Sequence, residues 1–251
     1  MADREAILRV EKLNKTYVNK TRRVDSLRDV SFDLYAGEIL GVVGESGSGK
    51  STLLRVISGV EKPDSGRLFY HGQEYTGEGP EKTGRFLQMI FQDAYGSFDP
   101  KMTMGKSLRE GSGAGQEEIR RIISEVGLSE DLLSRRPRHL SGGQCQRMSI
   151  ARALLSQAEI LLCDEITSAL DVNTQAQVIR LLNELRDAKG VPVIFVSHDI
   201  ALVSMICDRM LVMKDGALVD SGTTEDVIGS PSDAYTEKLI DSAISIQKKI
   251  F

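Results

Sequence analysis

No stretch of this 251-residue chain is apolar for long. Its apolar runs, such as Ile160–Cys163 and Val193–Val196, fall far short of the roughly 20 residues a membrane-spanning helix needs. The N-terminus, Met1–Glu5, lacks the basic-then-apolar pattern of a signal peptide. The chain is therefore expected to be soluble, and any membrane role to come through a partner. Cysteine is scarce: Cys145, Cys163 and Cys207 are the three, with no CxxC and no Cys/His ligand spacing. Reduced thiols in a cytosolic protein are the expectation, a zinc site the rival. Excess charge is also missing. A formal net charge of −4 argues against a nucleic-acid reader, which would present a basic face, but it leaves room for a local basic pocket. There is no internal repeat and no low-complexity tract. What remains is ordinary globular composition, 41% apolar and 27% charged, long enough to bury a sizeable core.

Apolar periodicity places the elements. Ile7–Tyr17 and Ser31–Leu34 read as short strands with polar breaks, an antiparallel set. Glu38–Val43 is an apolar run ending in a glycine-rich loop, with a helix from Lys50 to about Ser58. Pro63–Gly66 signals a turn before a strand at Arg67–Tyr70; Gln73–Thr83 reads as a loop and Phe86–Phe91 as a strand. From Lys101 to Leu140 the character changes to a helical insertion, with Glu117–Val126 helical and Gly111–Gly115 a flexible break. A further helix opens at Ser141–Gly143 and runs to about Leu155. Then come a buried strand Ile160–Cys163, a helix Asn173–Ala188, a strand Val193–Val196, a helix Ile200–Cys207, a hairpin around Asp215-Gly216, and a helical end, Ser232–Ile250. Strands that read as unbroken apolar runs are buried on both faces. Their alternation with helices predicts an α/β fold with a mostly parallel core sheet, an N-terminal antiparallel β part and a helical insertion. Ligands of such sheets bind beyond the carboxyl ends of the strands.

The chemistry-bearing residues fall at those ends. Gly44-Glu45-Ser46-Gly47-Ser48-Gly49-Lys50-Ser51-Thr52 fits GxxxxGK[ST], the Walker A loop, between a strand and a helix. Such a loop turns backbone N–H groups around phosphate oxygens at a helix N-terminus; Lys50 reaches the β- and γ-phosphates and the Ser51 hydroxyl ligates Mg²⁺. A Gly/Ser linker is the bland alternative. Ile160–Glu165 delivers two carboxylates at a strand end, facing different ways. Asp164 would hold Mg²⁺, directly or through water, and Glu165 would polarise an attacking water as general base; a solvated acidic pair is the alternative. Leu140-Ser141-Gly142-Gly143-Gln144 opens a helix and reads as a second anion-binding helix end, this time without a lysine; a good N-cap at Ser141 is the bland alternative, which leaves two consecutive glycines unexplained. Gln92, ending one strand, could touch Mg²⁺ and the water. His198, ending another, could bond the γ-phosphate or be a satisfied polar residue. Tyr17 could stack on adenine or pack against the sheet.

Together these residues resemble the ATP-binding-cassette (ABC) ATPase family, whose signature is LSGGQ, here Leu140–Gln144. The order Walker A, Gln92, signature, Asp164-Glu165, Ser168-Ala169-Leu170-Asp171, His198 is similar to that family's from about Ile7 to Leu239. The resemblance implies a P-loop NTPase fold: one nucleotide-binding domain over 1–251 with a helical signature subdomain at about 101–155. It implies MgATP hydrolysis, with Tyr17 at the adenine, Gln92 as the Q-loop, Glu165 as base, Ser168–Asp171 as the D-loop and His198 as the switch histidine. It further implies a second ABC ATPase, identical or different, docked head to tail, so that ATP lies between the Walker A loop of one chain and Ser141, Gly142, Gly143 and Gln144 of the other. Transmembrane permease subunits at the cytoplasmic face of a membrane, and indirectly a solute-binding protein, are the other implied partners.

Finer features resemble the second ATPase of peptide/nickel importers: Met89–Asp93 followed by Ser97–Pro100, Ser141–Arg147 with its Cys145-Gln146-Arg147, and Asp233–Thr236. In that branch the segment after the Q-loop and the helical insertion dock the permease. Ile166 departs from the family's usual Pro, loosening a turn. The insertion looks short, with glycines at 111, 113 and 115, so the permease-facing surface is expected to be reduced. The chain ends at Phe251 without the cysteine-containing extension of longer oligopeptide members, which tilts the expectation towards nickel, a metal chelate or small peptides. Two rival functions stand beside this reading: a soluble ABC ATPase acting on DNA or ribosomes, and a regulatory nucleotide-binding module without turnover.

Overall fold

The structure is a computed structural model describing residues 5–19, 22–75, 86–168 and 170–250. Its strands are β1 Ala6–Asn19, β2 Arg22–Tyr35, β3 Ile39–Val43, β4 Ser65–Tyr70, β5 Gln73–Tyr75, β6 Leu87–Ile90, β7 Ile160–Asp164, β8 Val193–Ser197, β9 Arg209–Lys214 and β10 Ala217–Thr223. Its helices are α1 Lys50–Ile57, α2 Met104–Ser112, α3 Gln116–Glu125, α4 Gly142–Leu155, α5 Val172–Lys189, α6 Ile200–Ile206, α7 Thr224–Gly229 and α8 Ala234–Ile250, with short 3₁₀ turns at Glu130–Ser134 and Pro137–His139.

Two sheets form. One is antiparallel, in the order β2-β1-β4-β5; the other runs β10-β9-β3-β8-β7-β6, with β9, β3, β8, β7 and β6 parallel and β10 antiparallel at the edge. Every residue of β3, β7 and β8 is buried, as their unbroken apolar runs require. The pleat sorts them between two cores. Leu40, Val42, Leu162, Ile194 and Val196 pack with α1 and the antiparallel sheet. Ile39, Val43, Leu161, Cys163, Val193 and Phe195 pack with α4, α5 and α6.

Three expectations need correction. The first two strands are not short. Each runs 14 residues, and their polar breaks are bulges: the register shifts between Val10 and Leu13, and Lys12 and Asp29 take positive φ. A bulge admits an extra residue without ending the strand. Gly111–Gly115 is not one flexible break. Gly111 lies in the last turn of α2, Gly113 ends that helix at φ 69°, and Gly115 caps α3. Helix α2 is held by buried Met104 and Leu108, one helical turn apart. Third, the loop expected over residues 73–83 begins with the edge strand β5; 76–83 lie outside the described residues, as does Ala169. Helix α7 was not anticipated. It starts where the Thr223 hydroxyl accepts the Asp226 N–H, a short polar cap with little apolar period.

Candidate nucleotide site

The loop Gly44–Gly49 links buried β3 to α1 at the carboxyl edge of the parallel sheet. Gly47 takes φ 85°, and two more of the loop's glycines are pressed against neighbouring backbone. A Cβ on Gly44 would lie 2.2 Å from the Met213 carbonyl oxygen, and one on Gly49, at φ 107°, would lie 2.3 Å from the Ser26 carbonyl oxygen. The loop is thus wedged against β9 and β2. The β9–β10 turn braces it further: Gly216 N–H donates to the Ser48 carbonyl (3.0 Å), and the Gly216 carbonyl accepts from Arg28 N–H (2.8 Å). Among the described residues the buried Ser48 hydroxyl has no partner.

Lys50 is 4% exposed. Its Nζ donates to the carbonyls of Gly44 (2.8 Å) and Glu45 (2.9 Å) and lies 3.9 Å from a Glu165 carboxylate oxygen. Burial lowers its pKa, opposed by Glu165 and Asp164. A buried ammonium satisfied mainly by carbonyls keeps positive charge available to an anion. Next to it, the Ser51 hydroxyl donates to Asp164 Oδ1 at 3.0 Å. Burial raises the Asp164 pKa, and the Ser51 bond opposes this.

The two carboxylates at the end of β7 have different hydrogen-bond partners: Asp164, the last strand residue, accepts from Ser51, while Glu165 lies just past the strand. Its backbone is left-handed at φ 48°, an uncommon state for a side chain of this type. Around its carboxylate gather Gln92 Nε2 (3.3 Å), His198 Nδ1 (3.5 Å) and Lys50. Gln92 also reaches the Ser168 hydroxyl at 3.2 Å, which donates in turn to the Glu165 carbonyl. Strands β6, β7 and β8 deliver Gln92, Glu165 and His198 from neighbouring positions in one sheet. A cavity of about 460 Å³ opens beside them, lined by Ser46, Gly47, Gly49, Lys50, Ser51, Thr52, Gln92 and Glu165, and by Val24 and Ser26 of β2. Sequence pattern missed Val24 and Ser26, because only the pairing of β2 along β1 brings them to the loop.

Other named residues do not line this cavity, although Tyr17 touches Thr52, which does. The Tyr17 hydroxyl donates to Glu61, and the cavity wall at that edge is Val24, the residue paired with Tyr17 across the strands. Ser141 and Gln144 form a reciprocal cap on α4: Gln144 N–H donates to the Ser141 hydroxyl (3.3 Å) and Ser141 N–H to the Gln144 side chain (2.9 Å). Gly143 is explained by packing, since a Cβ there would lie 2.5 Å from Thr174; Gly142 faces open space. Asp171 caps α5 by accepting from the Thr174 N–H and hydroxyl (3.0 and 2.7 Å), bonds that lower its pKa. Gly142 borders a second cavity, about 310 Å³, together with Gln92, Gln146, Ile166 and Leu170. Among the described residues, Gln92 borders both cavities, one at the lysine loop and one at Gly142 of the signature.

Comparison with known proteins shows the family and the fold. The sequence model described as ABC transporter matches residues 27–168, more than half of the chain. The chain is 40% identical over 239 residues to the oligopeptide transport ATP-binding protein OppF of Haemophilus influenzae, covering 90% of this chain and 72% of that protein. It is 37% identical over 247 residues to a putative peptide import ATP-binding protein of Brucella ovis, covering 94% and 78%. Among solved structures, it is similar to the dimeric bacterial ABC transporter cassette MJ0796 (TM-score 0.78, 28% identity, 86% and 98% covered). It is also similar to cbiO1 of Clostridium perfringens, described as part of the ABC transporter complex cbiONQ (TM-score 0.77, 27% identity, 90% and 92% covered). The family, the antiparallel-plus-parallel sheet arrangement and the lysine loop agree: this chain belongs to the ABC transporter family and is one of its ATPases.

Proposed function

We propose that this chain binds MgATP in the Gly44–Thr52 cradle and hydrolyses it by in-line attack of water on the γ-phosphate, energising a peptide importer. The observation that supports it most is the grouping of Lys50, Gln92 and His198 around the Glu165 carboxylate beside the Gly44–Gly49 loop. In this reading the loop amides and Lys50 hold the triphosphate, Glu165 takes the proton of the attacking water, Gln92 orients that water, and His198 bonds the γ-phosphate. Positioning and charge neutralisation supply most of the rate.

Ser51 and Asp164 suit a magnesium ion: both are oxygen donors, already neighbours, and the carboxylate is buried. Among the described residues no group of three or more His, Cys, Asp and Glu is placed to hold a metal. Mg²⁺ needs none, since it binds through one or two carboxylates plus substrate phosphates; when bound it would neutralise phosphate charge, with Gln92 a further ligand.

The separation of Ser141–Gln144 and Asp171 from the lysine loop supports an ATP site completed by a second ABC ATPase, head to tail; MJ0796 is described as a dimeric cassette. Tyr17 is proposed at the adenine edge through its neighbour Val24, and residues 101–155 as the signature subdomain. Among the described residues no helix is long and apolar enough to cross a membrane; from the transport names of its relatives we place the chain at the cytoplasmic face through permease subunits. The half-exposed aromatics Phe91 and Tyr95, flanking Gln92, are proposed to meet them. The peptide-transport names of the relatives favour peptides over nickel as cargo, with a solute-binding protein as an indirect partner.

The test is Glu165→Gln. Turnover should fall by about 10²–10⁴, the usual worth of a general base, while MgATP binding persists. Unchanged turnover would remove Glu165 from this role.

A further inference from the structure

The segment Asp233–Thr236 stands out in the sequence, yet nothing in the hydrolytic reading uses it. Tyr235 lies in the first turn of α8, where its N–H donates to Asp233 Oδ1 at 2.7 Å. Its hydroxyl accepts the N–H of Glu45 at 2.9 Å, across 190 residues of chain. That N–H belongs to the peptide unit joining Gly44 to Glu45. The carbonyl of the same unit, on Gly44, accepts from Lys50 Nζ at 2.8 Å. One peptide plane at the entry of the loop is therefore held at both ends, its oxygen by the ammonium and its N–H by the phenol.

Such a plane needs holding. Its orientation is set by ψ of Gly44 and φ of Glu45, and Gly44, at φ 152°, has no Cβ to restrict rotation. The phenol is itself fixed. Lys214 Nζ lies 5.0 Å from the ring centroid, Asp220 accepts the Ser232 N–H at 2.8 Å and ties the approach to α8 onto β10, and the ring packs against the core. Lys214 follows Met213, whose carbonyl underlies Gly44. The end of β9 and the start of α8 thus grip the loop from outside.

We propose that Tyr235 is a positioning residue for the phosphate-binding loop: its hydroxyl fixes the Gly44–Glu45 peptide plane and so presets the cradle for the triphosphate. This rests on the reading of Gly44–Thr52 as the phosphate cradle. Without the hydroxyl, the plane samples other orientations and nucleotide binding must restore the right one.

The experiment compares wild type, Tyr235→Phe and Lys50→Ala as full-length protein. Each is titrated with MgATP, and amide hydrogen exchange is followed residue by residue without nucleotide. Tyr235→Phe keeps the ring and its packing, so its thermal midpoint should fall by no more than about 2–4 °C, the worth of one hydrogen bond in a chain of this size. Its dissociation constant for MgATP should rise about 2–10-fold, the worth of one hydrogen bond, and the Glu45 amide should exchange faster by a similar factor while β3 and α1 amides are unchanged. An unaltered dissociation constant, or an unaltered Glu45 exchange rate, overturns the assignment. If Tyr235→Phe melts early and loosens amides throughout α8, the residue is a packing element and the assignment is equally overturned. Lys50→Ala separates the two readings. Unweakened MgATP binding there sinks the cradle itself, whereas lost binding there with a wild-type Tyr235→Phe sinks only the role of Tyr235.

Discussion

Replacing Gly49 by alanine asks whether the cradle is held by main-chain contact rather than by side chains. Gly49 precedes α1 at φ 107° and ψ −2°, and a Cβ there would stand 2.3 Å from the Ser26 carbonyl oxygen and 3.2 Å from Met213 Cε. The first obstacle is backbone in a paired strand and must yield by roughly 0.7 Å before even a tight contact is reached. The second is the end of a flexible side chain. Strained φ for a residue with a Cβ costs about 1–3 kcal/mol, and overpacking adds about 1–3 kcal/mol. Because the same backbone points amides at the phosphates, a displacement approaching 1 Å lowers kcat/KM by on the order of 10²-fold. The assay is steady-state hydrolysis of MgATP with thermal unfolding measured alongside. Gly49→Ala should lose both activity and stability, and adding Met213→Ala should restore neither, since the Ser26 carbonyl remains. Activity within about threefold of wild type, far short of the misplacement penalty, would show that the Ser26 contact does not shape the cradle. So would rescue by the shortened methionine.

Two further outcomes follow from caps and core. Asp171 has its pKa lowered by its bonds to Thr174, so it stabilises above the ordinary aspartate value of about 3.9 and loses that contribution as pH falls through the lower folded value. Asp171→Ala should therefore unfold at lower denaturant than wild type at neutral pH, with the gap narrowing as both are taken into the acid range. Phe195 is fully buried in β8, two residues before the strand ends at Ser197; Phe195→Ala should cost about 3–5 kcal/mol, read by denaturant titration.

Much of this was legible in the sequence because main chain and short-range spacing encode it. The glycines before Lys50, the apolar run into Asp164-Glu165 and the Ser141–Gln144 cap each lie within ten residues, and the structure forms the loop, the buried strand and the cap where the pattern puts them. Gln92 and His198 were legible because a parallel sheet brings its strand ends to one edge. What escaped depends on contacts between distant segments. Helix α2 carries glycines at 105 and 111 and is stabilised by burying Met104 and Leu108 rather than by propensity. The bulges of β1 and β2 read as strand ends, since nothing local distinguishes an extra residue from a break. Val24, Ser26 and Tyr235 meet the loop through strand pairing and through α8, and no motif spacing spans such separations.

Equilibrium titration of ATP, with magnesium present, into wild type and Lys50→Ala shows whether the Gly44–Thr52 loop is the nucleotide cradle. Wild type should bind saturably, and binding should be lost when the ammonium that bridges Gly44 and Glu45 is removed. Equal binding by both proteins, or none by wild type, would contradict that assignment.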